Sequence, residues 1–118
     1  MKVRAAIIVI KDWKERAFLR AELIEEGIKT FAVETMDDAK GWLSDPRVLP
    51  IIIIYDTQFQ DNPHQDTEHL RKYISDVPIL IITSRFEACP YSGFKHIIRR
   101  PVTIGDIVGR VKGILKGI

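Results

Sequence analysis

At 118 residues, 46% of them hydrophobic and 29% charged, the chain can bury one core and is expected to form a single domain over residues 1–118. Lys and Arg number 18 against 16 Asp and Glu, a formal net charge of +2, too small for the basic footprint of a direct nucleic-acid binder. The lone cysteine, Cys89, excludes a disulfide framework and a cysteine metal knuckle, and a reducing cytoplasm is the natural setting.

Residues 1–10 have a basic head and an apolar run, the outline of a signal peptide. The run is short and β-branched, however, and Lys11-Asp12 follows where small cleavage-site residues belong, so residues 3–10 are expected to be a buried first strand. No apolar stretch approaches the roughly 20 residues that span a bilayer. Asp12 can cap the next helix, with Glu15 as its capping-box partner. That helix is expected over 14–26, with Phe18, Leu19, Leu23 and Ile24 at helical spacing and Gly27 as its left-handed stop. A short second strand over 29–33 and a second helix begun by Thr35 or Asp37 follow, the latter stopped by Asp45-Pro46.

The third strand is the strongest signal: Ile51 to Tyr55 is an unbroken apolar run ending on Asp56, which reads as a parallel strand buried on both faces. A polar loop over 57–67 and a third helix over 68–74, with Leu70 and Ile74 inward, are expected next. Residues 77–83 repeat the buried-strand pattern and end on Thr83. Pro90 and Gly93 leave little room for a helix over 84–95; a brief fifth strand at 96–99, Arg100-Pro101 and a final helix capped by Thr103 complete the chain.

Alternating strands and helices imply an α/β, doubly wound five-stranded parallel sheet with helices on both faces and a shortened fourth helical region. The flavodoxin-like order 2-1-3-4-5 places strands one and three side by side, with Asp56 in the crevice at their carboxyl ends, where such sheets hold their chemistry.

In that order the chain resembles the receiver domain of two-component response regulators, a CheY-like family. The resemblance rests on Val9, Arg16, Leu19, Leu23 and Gly27, on Asp38-Ala39, on Ile53 to Asp56, on Val77-Pro78-Ile79 with Thr83-Ser84, and on Arg100-Pro101. It implies that Asp56 is the phosphoacceptor, Thr83 the hydroxyl that follows a phosphoryl oxygen, and Arg100 a replacement for the family's lysine, with a cis peptide before Pro101. The member is atypical. The family's acidic pair falls on Ile10-Lys11, so the Mg2+ cage loses charge and gains a cation; Mg2+ binding is expected to be weak or absent, and no other cofactor is implied. Asp12 could recover one metal ligand, with Asp56 as another, whereas Lys11 could pair with Asp56, lower its pKa and mimic part of the metal's charge. The family's switch aromatic falls on Ile97, and the segment between Thr83 and Arg100 is short by roughly a helical turn or more.

Three functions follow. One is a phosphorelay module, phosphorylated on Asp56, whose surface is read by a histidine kinase or other signalling protein. Another is a pseudo-receiver, an interaction domain working without phosphorylation. The third is a small-ligand protein on a flavodoxin-like sheet, disfavoured because Lys11-Asp12-Trp13-Lys14 is no glycine-rich phosphate loop. None of the first two is an enzyme in its own right; a homodimer is compatible with either, and neither membrane nor direct nucleic-acid binding is expected. Several suggestive groups have plainer readings. His64, Asp66, Glu68 and His69 match no zinc spacing, Arg99-Arg100 with Lys112 and Lys116 reads as a solvated basic end, Trp13 as a loop contact, Trp42 as core and His96 as a strand residue.

Overall fold

Residues that need no periodicity build the centre of the molecule. In a computed structural model, which describes residues 2–84, 91 and 93–117, β1 (Val3–Val9) and β3 (Val48–Asp56) lie side by side and parallel. Ala5 to Val9 and Ile52 to Tyr55 are completely buried, because helices cover both faces of the sheet. Pro50 has no N–H for the ladder, and the register shifts beside it: Ala5 pairs with Pro50 but Ala6 with Ile52.

The sheet runs β2-β1-β3-β4-β5, all parallel, with β2 (Thr30–Val33), β4 (Ile79–Thr83) and β5 (His96–Arg99) completing it. This is the expected order. Two-residue alternation divides the core: Ile8, Ile52, Ile54 and Leu80 pack under α1 (Trp13–Glu25) and α4 (Ile104–Lys116). Ile7, Ile53, Tyr55 and Ile81 face the layer of α2 (Met36–Leu43) and α3 (Pro63–Leu70).

Caps set the helix starts. Asp12 Oδ1 accepts from the N–H groups of Lys14 and Glu15, and Thr35 Oγ1 accepts from Asp38 N–H. Thr103 and Asp106 exchange side-chain and backbone bonds in a full capping box, so the Asp106 carboxyl sits below its ordinary pKa through its bond from the Thr103 N–H. Gly27 stops α1 with φ of 81°, as expected.

Three expectations need correction. The third helix starts at Pro63, not near residue 68, because Asn62 caps it through Gln65 N–H and Pro63 takes the first-turn place where a missing donor costs nothing. It ends at Leu70, followed by a single 3-10 turn, Arg71–Tyr73, and this turn leaves Ile74 39% exposed rather than inward. On α1 only Leu19 and Leu23 are buried; Phe18 and Ile24 are exposed. The inward stripe is narrow because those two residues lie on either side of the Leu19–Leu23 line. Trp42 is half-buried rather than core, stacked on Phe31 with centroids 4.0 Å apart, and Trp13 stands exposed at the start of α1. The shortened helical segment and Cys89 lie largely or wholly outside the described residues. Among the described residues no helix is long and apolar enough to cross a membrane.

Candidate functional site

Asp56 has the same parity on β3 as Ile52 and Ile54, so its side chain points to the α1/α4 side of the sheet. It is 1% exposed, and what reaches it comes from that side. Arg100, between β5 and α4, donates from Nη2 to Asp56 Oδ2 at 2.5 Å. The same guanidinium grips Glu15, in the first turn of α1, with Nη1 to Oε1 at 3.0 Å and Nη2 to Oε2 at 2.8 Å. The Arg100 N–H bonds the Thr83 carbonyl at 2.8 Å, which ties its backbone to the end of β4. The Arg100-Pro101 peptide is cis, as expected. The other Asp56 oxygen, Oδ1, accepts from Gln58 N–H at 3.0 Å.

Burial pushes the Asp56 carboxyl above its ordinary pKa; the Gln58 N–H and the Arg100 guanidinium pull the other way without cancelling it. For Arg100, burial works against the proton, but the bonds to Glu15 and the charge of Asp56 more than offset it, so its pKa rises. On the opposite face Tyr55 donates to Asp66 Oδ2, and burial, then this bond, raises the phenol pKa.

Thr83 ends β4 one residue beyond Ile82, the register partner of Asp56, and is 1% exposed. Lys11 does not pair with Asp56. Its Nζ lies 3.4 Å from Glu34, which follows β2 on the other side of β1, and the expected lowering of the Asp56 pKa is therefore absent. Asp56 already has a cation, so Glu34 is the better partner for the ammonium. Asp12 serves its cap rather than the pocket. Glu15 is the residue that sequence reasoning missed, because three positions after Asp12 it reads as a capping-box partner; its carboxylate turns instead to Arg100. Nor is Arg100 part of a solvated basic end, since it is folded inward, while Lys112 pairs with Glu26 at 3.2 Å.

His64, Asp66, Glu68 and His69 disperse as the plainer reading held: Glu68 pairs with Arg71, Asp66 with Tyr55, and His69 lies against Tyr73. Among the described residues no group of three or more His, Cys, Asp or Glu is placed to hold a metal.

The loop after Asp56 carries an outlier. Gln60 N–H bonds Thr57 O, and Phe59 takes the third place of that turn with φ of 64° and its ring 65% exposed. Glycine or asparagine is the ordinary choice there. Phe59→Gly is expected to raise stability by about 0.5 kcal/mol, the relief of left-handed strain less the entropy of glycine in the unfolded chain. A lower urea midpoint for the variant would contradict this.

No family model matches the chain, and no curated protein matches it in sequence. Solved structures do match it. The receiver domain of the TMAO respiratory system response regulator TorR superposes with a TM-score of 0.78 at 22% identity, covering 98% of this chain and 99% of that one. The fold is that of a response-regulator receiver domain. A CheY-like receiver domain protein from Methanospirillum hungatei JF-1 gives 0.78 at 16% identity, covering 99% of this chain and 96% of its own. A response regulator receiver protein from Burkholderia phymatum gives 0.74 at 20%, covering 97% and 96%.

On this receiver fold the Mg2+ that the resemblance implies finds a poor donor set. Magnesium takes near-octahedral oxygens and keeps several waters. Here Ile10 is buried core, Asp12 holds backbone N–H groups, and the facing oxygens of Asp56 and Glu15 are covered by a guanidinium. The guanidinium's Nε is buried and has no hydrogen-bond partner among the described residues. The residues present do not fit the ion.

Proposed function

We propose that this receiver-fold chain is a signalling module read by a partner protein, with Asp56 held in a standing ion pair rather than cycling through an acyl phosphate. One observation carries the reading: a single guanidinium joins Asp56 to Glu15 across the carboxyl end of the sheet. Attack on a phosphoryl donor would need Asp56 Oδ2 free and a cation to draw the donor in, and Arg100 already occupies that oxygen as a fixed charge. The module therefore has no turnover of its own. It works in the cytoplasm, without membrane or direct nucleic-acid contact, and its partner is a histidine kinase or another signalling protein that recognises its surface, alone or as a homodimer.

Incubation with acetyl phosphate and Mg2+, followed by intact mass, is expected to leave the wild-type mass unchanged. A phosphoryl adduct that disappears in Asp56→Asn would overturn the standing-pair reading. It would favour the alternative, in which Thr83 and Arg100 close on a phosphoryl group carrying close to two negative charges.

A further inference from the structure

We infer that the layer formed by α1 and α4 is the docking face for a second copy of this chain, with α1 of each copy lying over α4 of the other. The inference goes beyond the signalling role proposed above and does not depend on the state of Asp56. It starts from side chains that the fold leaves in water. On α1, Trp13 and Phe18 are 65% and 64% exposed, and Ile24, near its end, is 43% exposed. Ala17 and Ala21 are exposed between them. Trp13, Ala17, Ala21 and Ile24 recur at helical spacing with Phe18 beside them, so an apolar strip runs along the side of α1 that ordinarily carries charges. A contiguous strip of this kind marks an interaction surface.

The neighbouring helix has the opposite relief. Gly105, Gly109 and Gly113 follow one another at four-residue intervals along the exposed side of α4. None of the three has a positive φ, and a Cβ at Gly109 or Gly113 would meet nothing within 4 Å among the described residues. Neither the backbone nor the packing of the domain itself therefore calls for glycine, the poorest helix former after proline. A shallow groove is what the projecting Trp13 and Phe18 rings need opposite them, since helices pack ridge into groove. The ion pairs Arg100–Glu15 and Lys112–Glu26 hold the two helices side by side. Both return against parallel strands, so they point the same way. A two-fold axis lying in this face and parallel to the helices sets each α1 on the other copy's α4 with their ends matched.

Charge selects a second copy as the occupant. The exposed charges of α1 begin with Lys14 and end with Glu22 and Glu25, whereas those of α4 begin with Asp106 and end with Arg110 and Lys116. Matched ends bring Lys14 to Asp106 of the second copy and the two acids to its two bases, and the symmetry makes every such contact twice. Stacking α1 on α1 instead would set the rings against each other and leave the glycine rows unfilled.

The test is sedimentation velocity of the whole chain. Because an interface built from two 13-residue helices is small, a monomer–dimer equilibrium is expected between about 10 µM and about 1 mM. Gly109→Gln is expected to weaken the dimer at least about tenfold while the urea midpoint of the dilute monomer stays level or rises, since glutamine is the better helix former. Phe18→Ser is expected to weaken it about as much with circular dichroism unchanged. Glu25→Lys and Lys116→Glu should each weaken it about fivefold or more, and the two together should restore it. A chain that stays monomeric up to about 1 mM overturns the inference and leaves the face to a different protein. A dimer indifferent to Gly109→Gln and Phe18→Ser overturns it by placing the contact elsewhere, and a double charge variant no better than the single ones overturns the pairing of α1 with α4. Intact mass after acetyl phosphate reads Asp56 in every one of these cases, so the two proposals fail separately.

Discussion

Arg100→Ala is expected to cost about 3 to 5 kcal/mol near neutral pH, the range for leaving a buried charge without its partner. For a domain whose whole stability is of order 5 to 15 kcal/mol this is a large fraction. The variant leaves Asp56, 1% exposed, with the Gln58 N–H but no cation, and takes from Glu15, nearer the surface, the guanidinium it pairs with. The pH dependence identifies the group. Burial already raises the Asp56 pKa with Arg100 present, and loss of the guanidinium raises it further. A carboxyl whose folded pKa lies above its unfolded value of about 3.9 contributes stability that is present below that value and lost as pH rises through the folded pKa. The deficit of Arg100→Ala should therefore be greatest at neutral pH and shrink as pH falls towards the unfolded value. Urea unfolding of both proteins at neutral and mildly acidic pH checks it; a gap that stays constant or widens on acidification would show that Asp56 is not the stranded charge. Arg100→Lys keeps one charge but cannot span both acids with a planar fork, and should fall between the two, about 1 to 2 kcal/mol below wild type.

That argument depends on Glu15, which shows where sequence reading stops. The central strands were legible because parallel strands covered on both faces are written as plain apolar runs, and 3–10, 51–56 and 77–83 carry that signature whatever surrounds them. Strand order followed from alternation with helices. The acid at the end of β3 was legible by position; the guanidinium before Pro101 was legible only through the family resemblance, since by composition it reads as part of a solvated basic end. What joins them was not. Glu15 satisfies a local capping pattern on paper, and no local rule states that its carboxylate will prefer an arginine 85 residues away. Lys11 was visible as a cation at the end of β1, but a lysine there stands between two acids, Asp56 after β3 and Glu34 after β2, and the choice depends on which is already neutralised. The helix starting at Pro63 lies in a stretch whose polar composition reads as loop; its start is set by an asparagine cap and a first-turn proline, signals that polar composition hides.

The second large effect lies beneath the site. Ile54→Ala is expected to cost about 4 kcal/mol, near the upper end for removing a buried isoleucine side chain. Ile54 is completely buried, two residues before Asp56 on the same face, with Ile8 and Leu80 as its register neighbours on the flanking strands. All three belong to the cluster beneath α1 and α4. The backbone around the lost atoms is held by ladders on both sides, so the walls cannot close in, and the cavity term adds to the lost transfer energy. Ile54→Val, which removes a single methyl, should cost about 1 kcal/mol, and the graded pair separates packing from any general intolerance of the position. The same change at Ile98, half-buried on the edge strand β5, should cost clearly less than at Ile54, because an edge strand can shift towards the gap. Urea midpoints for the three variants decide the matter. Equal losses at Ile54 and Ile98 would mean that β3 is not the rigid floor on which Asp56 is presented, and the close contact between Asp56, Arg100 and Glu15 would then need another source of rigidity.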